Sequence, residues 1–424
     1  MSAMRRTWWL VGLLSMTATA SYLCRVNVSV AGVLIMRNFG WSQVVMGRVF
    51  SAFLLGYSLF QIPAGVLADR YGVRRVLAVS TLWWVGGTAL LAAIGWGWLG
   101  SSSGATLVGF MAVRFVIGMG EAPTFPAAGR AVSCWLPREQ QGRANGFVIA
   151  AIAVGSAVAP PLISVVMIRW GWRIALLVSA LPALAAGVTW LALRDLREPC
   201  TAMVARERTI AELLRLPSFV LLTTSYTLQG YVGYIFVFWF YLYLVQVRHF
   251  DLLRGALLAC LPWILSIASI PLGGVISDLL AGSRLGLTWG RRAVPMAGLG
   301  GASIFLTLGA HTGNAYLAAA YLAFATALVE CVEGPFWATM MEIAGARSGT
   351  AGGTMNMGCN LGGLISPALT PVLAATVGWE NALHVAAGIA VVAALLWFGI
   401  SIPDQMVGQH MASSGTNAST GGPA

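Results

Sequence analysis

Apolar stretches long enough to cross a bilayer recur from one end of this 424-residue chain to the other. A spanning helix needs about 20 apolar residues, and the hydrocarbon interior offers no water to unpaired backbone groups. Continuous helices are therefore expected. A transmembrane barrel would leave alternating segments of about ten residues, and no such alternation is present. Charged residues make up only 9% of the chain, against about 25% in soluble domains. Too few remain to solvate a water-facing surface of this size.

The apolar pattern predicts an all-α membrane protein of twelve spans. Six fall near 8–35, 47–68, 74–95, 104–133, 143–168 and 172–193, and six more near 218–246, 254–280, 292–311, 314–342, 348–377 and 380–402. Arg5, Arg6 and Ala18-Thr19-Ala20 have the outline of a secretory signal. The apolar character continues past residue 30, so an uncleaved first helix is expected. The stretch 194–217 is charge-rich and reads as a solvated, partly helical linker between residues 1–193 and 218–402. The Gly/Ser/Thr/Asn-rich tail 403–424 has a composition that cannot bury a core and is expected to be disordered.

All 25 basic residues are Arg, and their placement gives an orientation. One set of loops and ends holds seventeen, the other six, and Arg25 and Arg114 fall inside spans. Positive residues stay on the cytoplasmic side, which puts both termini and the linker there, in an inner or plasma membrane. The Arg-only basicity and Ala/Gly richness fit a bacterial source.

The two halves resemble one another. Gly146, Gly155, Pro160, Gly171 and Trp172 recur as Gly353, Gly362, Pro367, Gly378 and Trp379, each 207 residues later. Ile62-Pro63, Gly65 and Asp69 recur as Ile270-Pro271, Gly274 and Asp278. An internal duplication into two parallel six-helix bundles follows, an architecture that places a substrate between the halves near mid-membrane.

Several chemistries are excluded. Without Lys there is no Walker-type phosphate loop and no Schiff-base nucleophile. The charge of +11 is a membrane-topology signature rather than a nucleic-acid footprint. No cysteine or histidine cluster has metal-ligand spacing, and His384 reads as a packed polar residue. Neither a catalytic constellation nor a cofactor motif is present, so an enzyme is not expected, although a non-transporting membrane sensor or enzyme is the alternative of another class.

The loop Gly65-Val-Leu-Ala-Asp69-Arg70-Tyr-Gly72-Val-Arg74-Arg75 resembles the loop motif of the major facilitator superfamily. Gly274 to Asp278 with Gly290-Arg291-Arg292 is a second copy split by an insertion. Asp69 can latch the cytoplasmic side against basic side chains or a helix N-terminus, with Arg70, Arg74, Arg75 and Arg130 as gating candidates. A narrower resemblance lies in Arg114-x-x-x-Gly118-x-Gly120-Glu121-Ala122-Pro123-x-Phe125-Pro126, in Tyr22-x-Cys24-Arg25-x-Asn27-x-Ser29 and in Phe238-Trp239-x-Tyr241-x-Tyr243. It is similar to the anion:cation symporter family, which includes bacterial galactonate, hexuronate and glucarate carriers. The resemblance implies a monomeric proton-coupled importer of a small organic anion by alternating access. It also implies that Tyr22, Tyr57 and Asn360 lie near sugar-acid contacts. The family Asp before the helix-one Arg takes part in coupling, and Cys24 stands in its place here, which keeps an uncoupled facilitator or an exporter open.

Ionisable residues inside a membrane are costly and point to function. Arg25, Arg114 and Glu121 are such residues, and Arg114 and Glu121, seven apart, share a helix face. Arg keeps its charge and its planar fork suits a carboxylate. Arg25 and Arg114 are therefore the expected anion ligands and Glu121 the proton carrier. The alternative is an Arg114–Glu121 or Arg25–Glu121 pair that only braces helices. Gly118 leaves room for a ligand or a neighbouring helix. Asn356 with Asn360, and Tyr57 with Gln61, share faces that suit hydroxyls, and Trp337 suits a sugar carbon face. Tyr226, Tyr231 and Tyr234 are candidates to line the route. Glu330 and Glu333 suit either a second proton site or a pair near the outer end, and the outer end is the favoured assignment.

Overall fold

The computed structural model describes residues 3–94, 103–136, 138–193, 210–344 and 348–402. Most of the expected linker and the whole tail 403–424 lie outside the described residues. Within the described residues the chain is helical, with no strand. The first half comprises α1 (Ala3–Phe39), α2 (Gln43–Tyr71), α3 (Val73–Ile94), α4 (Ser103–Glu121), α5 (Thr124–Trp135), α6 (Arg138–Ser179) and α7 (Leu181–Ala192). A short α8 (Ile210–Leu213) precedes the second half. That half comprises α9 (Pro217–Phe238), α10 (Phe240–Gln246), α11 (Leu252–Ala259), α12 (Leu261–Ala281), α13 (Gly286–His311), α14 (Ala315–Glu330), α15 (Glu333–Ala344) and α16 (Ser348–Leu396).

Nine helical runs among the described residues are long and apolar enough to cross a membrane, and α9 with α10, bent by 49°, makes a tenth. Two of the runs are double. Gly146–Ala192 has 47 residues and Ala351–Gly399 has 49, roughly twice the length a bilayer core of about 30 Å requires at about 1.5 Å per residue. Each turns back at a glycine with positive φ, Gly171 at 81° and Gly378 at 87°, a conformation that costs glycine least. Ala151 and Trp190 hydrogen-bond Thr19 and Thr17 midway along α1, while Trp172 packs on Phe39 at its end. The chain therefore runs the depth of the molecule and returns. Counting both reversals gives the twelve spans that the apolar pattern predicts.

The duplication is visible in packing. Gly155 of α6 lies against the Thr19 backbone of α1, and Gly362 of α16 lies against the Thr227 backbone of α9. Trp172 and Trp379 both close their reversals by packing on aromatics, Phe39 and Phe110 in one case and Trp239 and Tyr243 in the other. Small residues at such crossings let helices approach where lipid supplies no hydrophobic drive. Gly118 belongs to this class: a Cβ there would overlap the Phe53 carbonyl. The room it leaves is taken by α2.

Several expected single spans are broken. The run 104–133 is interrupted at Ala122-Pro123, 254–280 at Cys260 and 314–342 at Cys331-Val332. Pro123, Pro262 and Pro335 adjoin these breaks, and proline removes a backbone donor and clashes with the preceding turn. Pro123, Cys260 and Cys331 keep helical dihedrals, so each run still crosses as one span.

Candidate functional site

At the first of these breaks the last residue of α4, Glu121, meets α1. Arg25 Nη2 donates to Glu121 Oε1 at 2.5 Å and Arg25 Nε donates to it at 3.1 Å. Ser21 Oγ donates to the same oxygen at 2.7 Å. Ser21 and Arg25 are four apart on α1, so both face α4. Arg25 is 1% exposed and Glu121 0%. Of the two pairings the sequence allowed, the one with Arg25 forms.

Aromatic rings wall this pair. The Arg25 guanidinium lies 4.5 Å from the Tyr22 ring centre, 4.6 Å from Tyr57 and 5.2 Å from Phe53. The other edge of the site is Arg114, also 1% exposed. Its guanidinium sits 4.5 Å from the Phe53 ring. Its Nε and Nη2 are buried and have no hydrogen-bond partner, and the same holds for Glu121 Oε2. A buried charge is costly unless paired, and these Arg114 nitrogens lack a partner beside the Arg25–Glu121 pair.

Side chains of the second half complete the cluster. Arg25 Nη1 approaches the hydroxyls of Tyr22 at 3.4 Å and Tyr234 at 3.5 Å. Tyr234 donates to Asn360 Oδ1 at 3.0 Å, and Asn360 Nδ2 donates to Gln61 Oε1 at 3.1 Å. Gln61 reaches the Tyr57 hydroxyl at 3.5 Å. The chain of contacts thus joins Tyr22, Arg25, Tyr57, Glu121 and Asn360, with Arg114 linked through Phe53. Asn356 enters only through its carbonyl, which accepts from Asn360 at 2.9 Å. Trp337 is half-buried and lies against Gly352. Tyr231 bonds Thr370, deeper in its own half. Phe53 gave no sequence signal; Ser21 could have been found from its spacing to Arg25. Cys24 turns away, its thiol directed to the Ser179 carbonyl at 3.5 Å.

Glu330 and Glu333 are not near the outer end. They flank the mid-depth break between α14 and α15, because that break falls halfway along the span. Tyr226 donates to Glu333 Oε2 at 2.8 Å and Gln229 Nε2 donates to Oε1 at 3.2 Å. The sequence signal was present: Glu333-Gly334-Pro335 repeats Glu121-Ala122-Pro123.

At the arginine-rich end, Arg74 donates to the Trp190 and Leu191 carbonyls at 3.1 and 2.9 Å, closing the C-terminus of α7. Arg70 and Arg75 are exposed, and Arg130 is half-buried and partnered. The Asp69 side chain lies outside the described residues. The second copy of the motif is fully described. Arg291 pairs with Asp278, hydrogen-bonds Ser277 at 3.2 Å and pairs with Glu342 at 2.7 Å. It ties α12, α13 and α15 together despite the insertion. Glu342 was missed because it lies outside the motif.

Among the described residues, polar contacts that cross between the halves lie at mid-depth or toward the opposite end. There Gln43 bonds Gln246 at 2.7 Å, Ser51 bonds the Leu364 carbonyl at 2.8 Å and Ser164 bonds Tyr241 at 3.1 Å. Phe50 stacks on Phe238 with ring centres 5.1 Å apart.

The family model described as Major Facilitator Superfamily matches residues 13–367. The chain belongs to that superfamily. Its members are transporters, and this chain is a multi-pass membrane transporter rather than an enzyme. It is 31% identical to a probable sulfoacetate transporter of Cupriavidus necator, covering 84% of this chain and 85% of that one. It is 27% identical to a probable galactarate/D-glucarate transporter of Bacillus subtilis, covering 92% and 90%. A D-xylose–proton symporter structure shares the superfamily architecture at TM-score 0.77 and 15% identity, covering 94% of this chain and 99% of that one. The resemblance read from the motifs holds.

Proposed function

We propose that this transporter imports a small organic anion, a sugar acid such as an aldonate or hexuronate or a compact dianion, together with a proton. The observation that carries the reading is Arg114, buried and without an ion pair among the described residues, beside an Arg25 already committed to Glu121. A proton arriving on Glu121 removes the charge that holds Arg25. Both guanidiniums then face the chamber, and two cations suit a substrate with one or two acidic groups. Tyr22, Tyr57 and Asn360, which the contacts join to Arg25, supply hydroxyl and amide partners. Loss of the proton lets Glu121 retake Arg25 and displace the anion.

The halves carry this site as two six-helix bundles, residues 1–193 and 218–402, that rock about it. Their contacts at the end away from the arginine-rich loops support a conformation sealed outside and open to the cytoplasm, where both termini lie. Asp69, Arg70, Arg74, Arg75 and Arg130 would gate that side. The working unit is a monomer in the inner membrane. A second reading, an uncoupled facilitator or exporter, is favoured by Cys24, which leaves α1 without a carboxylate at that position.

The test is uptake of labelled galactonate, glucuronate, glucarate and sulfoacetate into proteoliposomes, with an inward proton gradient, an inward sodium gradient or none. Accumulation above equilibrium with the proton gradient alone is the expected result. Equilibration without accumulation would favour the facilitator. Absence of uptake for all four would remove this substrate class.

A further inference from the structure

Far from the central chamber, the fold brings together three residues that the sequence separates. His311 is the last residue of α13, and Glu380 and His384 are four apart just beyond the Gly378 reversal. The i,i+4 spacing places Glu380 and His384 on one helix face, and α13 packs along that part of the chain. His311 Nδ1 lies 2.8 Å from Glu380 Oε1, and the two imidazoles touch with ring centres 4.6 Å apart. One donor atom from each residue lies within 4.8 Å of the other two. His384 Nε2 is buried and has no hydrogen-bond partner.

We propose that His311, Glu380 and His384 form a binding site for a first-row divalent transition ion, with zinc the best match. Two imidazoles and one carboxylate are a borderline-soft donor set that magnesium and calcium do not favour. Tetrahedral zinc holds its nitrogen and oxygen ligands at about 2.0–2.2 Å, which spaces them about 3.4 Å apart. The donors, now within 4.8 Å of one another, must close to that spacing when the ion binds. His311 and Glu380 are more than half exposed, so the ion enters from water and keeps a water in its fourth position. The nearby cation, Arg248, is engaged by the Gly309 and Thr312 carbonyls and the Tyr243 hydroxyl. A surface ion pair between His311 and Glu380 alone would not need His384, whose ring meets His311 across the helix boundary. The ion would staple two spans of the same half and leave the rocking of one half against the other free.

Untagged protein in detergent, freed of metal by chelator, is titrated with zinc or magnesium and followed by calorimetry and thermal unfolding. One zinc per chain and a saturable rise in Tm are expected, with no change in magnesium. His311→Gln and His384→Gln should each remove the response while leaving the metal-free Tm in place. No zinc response, or the same response in the double variant, would overturn the site. X-ray absorption on the zinc-loaded parent protein reads the ligands without any variant: two imidazoles are expected, and a shell without them rejects the assignment.

Discussion

Glu121 and Glu333 occupy matching breaks in the two halves, and their partners differ. Glu121 takes its hydrogen bonds from Ser21 and Arg25 of α1. Glu333 takes its own from Tyr226 and Gln229 of α9. In the register that aligns Thr19 with Thr227, Ser21 corresponds to Gln229 and Arg25 to Gly233. The second half has kept a neutral donor and carries no side chain where the first half has its cation. The two halves therefore hold two carboxyl sites, and of these Glu121 has an arginine partner while Glu333 takes its hydrogen bonds from neutral donors.

That asymmetry is open to attack from several directions. Arg25→Ala should produce the largest effect, a fall in uptake of about 100-fold or more, since charge-assisted hydrogen bonds are worth about 1.5–3 kcal/mol each and Glu121 is left buried and unpaired. Initial uptake rates in proteoliposomes read this; a variant keeping a tenth of parental activity would dissolve the distinction. Glu121→Gln should abolish gradient-driven accumulation while sparing exchange of labelled for unlabelled substrate. Glu333→Gln retains a side chain that can bond both Tyr226 and Gln229, so uptake should fall less than about tenfold, in line with the loss of a single net hydrogen bond. If Glu333→Gln instead loses accumulation and Glu121→Gln keeps it, coupling belongs to the second half. Arg291→Gln leaves Asp278 and Glu342 without their cation, and thermal unfolding should begin about 5 °C or more lower. Smallest of all, Cys24→Ala should change uptake by less than about twofold, because a buried thiol behaves mainly as a small hydrophobe.

Much of the architecture was legible in the sequence because lipid leaves few alternatives. The lengths of the apolar runs and the 207-residue repeat of Gly171-Trp172 as Gly378-Trp379 fixed span number and symmetry together. Arg25, Arg114 and Glu121 stood out because charge is rare inside spans. The sequence could not say which arginine Glu121 would choose, since that depends on how closely α1 and α4 pass. Glu330 and Glu333 were assigned to the wrong depth because helix breaks at mid-span leave no hydropathy signal. Phe53, an ordinary apolar residue, became part of the site only through the contact between α2 and α4.

Three of the contacts between the halves end on main-chain acceptors. Ser29 donates to the Val237 carbonyl, Ser51 to that of Leu364, and Cys260 to that of Ala157. A carbonyl survives any change of its own side chain. Residues 157, 237 and 364 can therefore be exchanged without erasing these acceptors. These joints between the halves thus depend on the course of the backbone rather than on the identity of the side chains at the accepting positions.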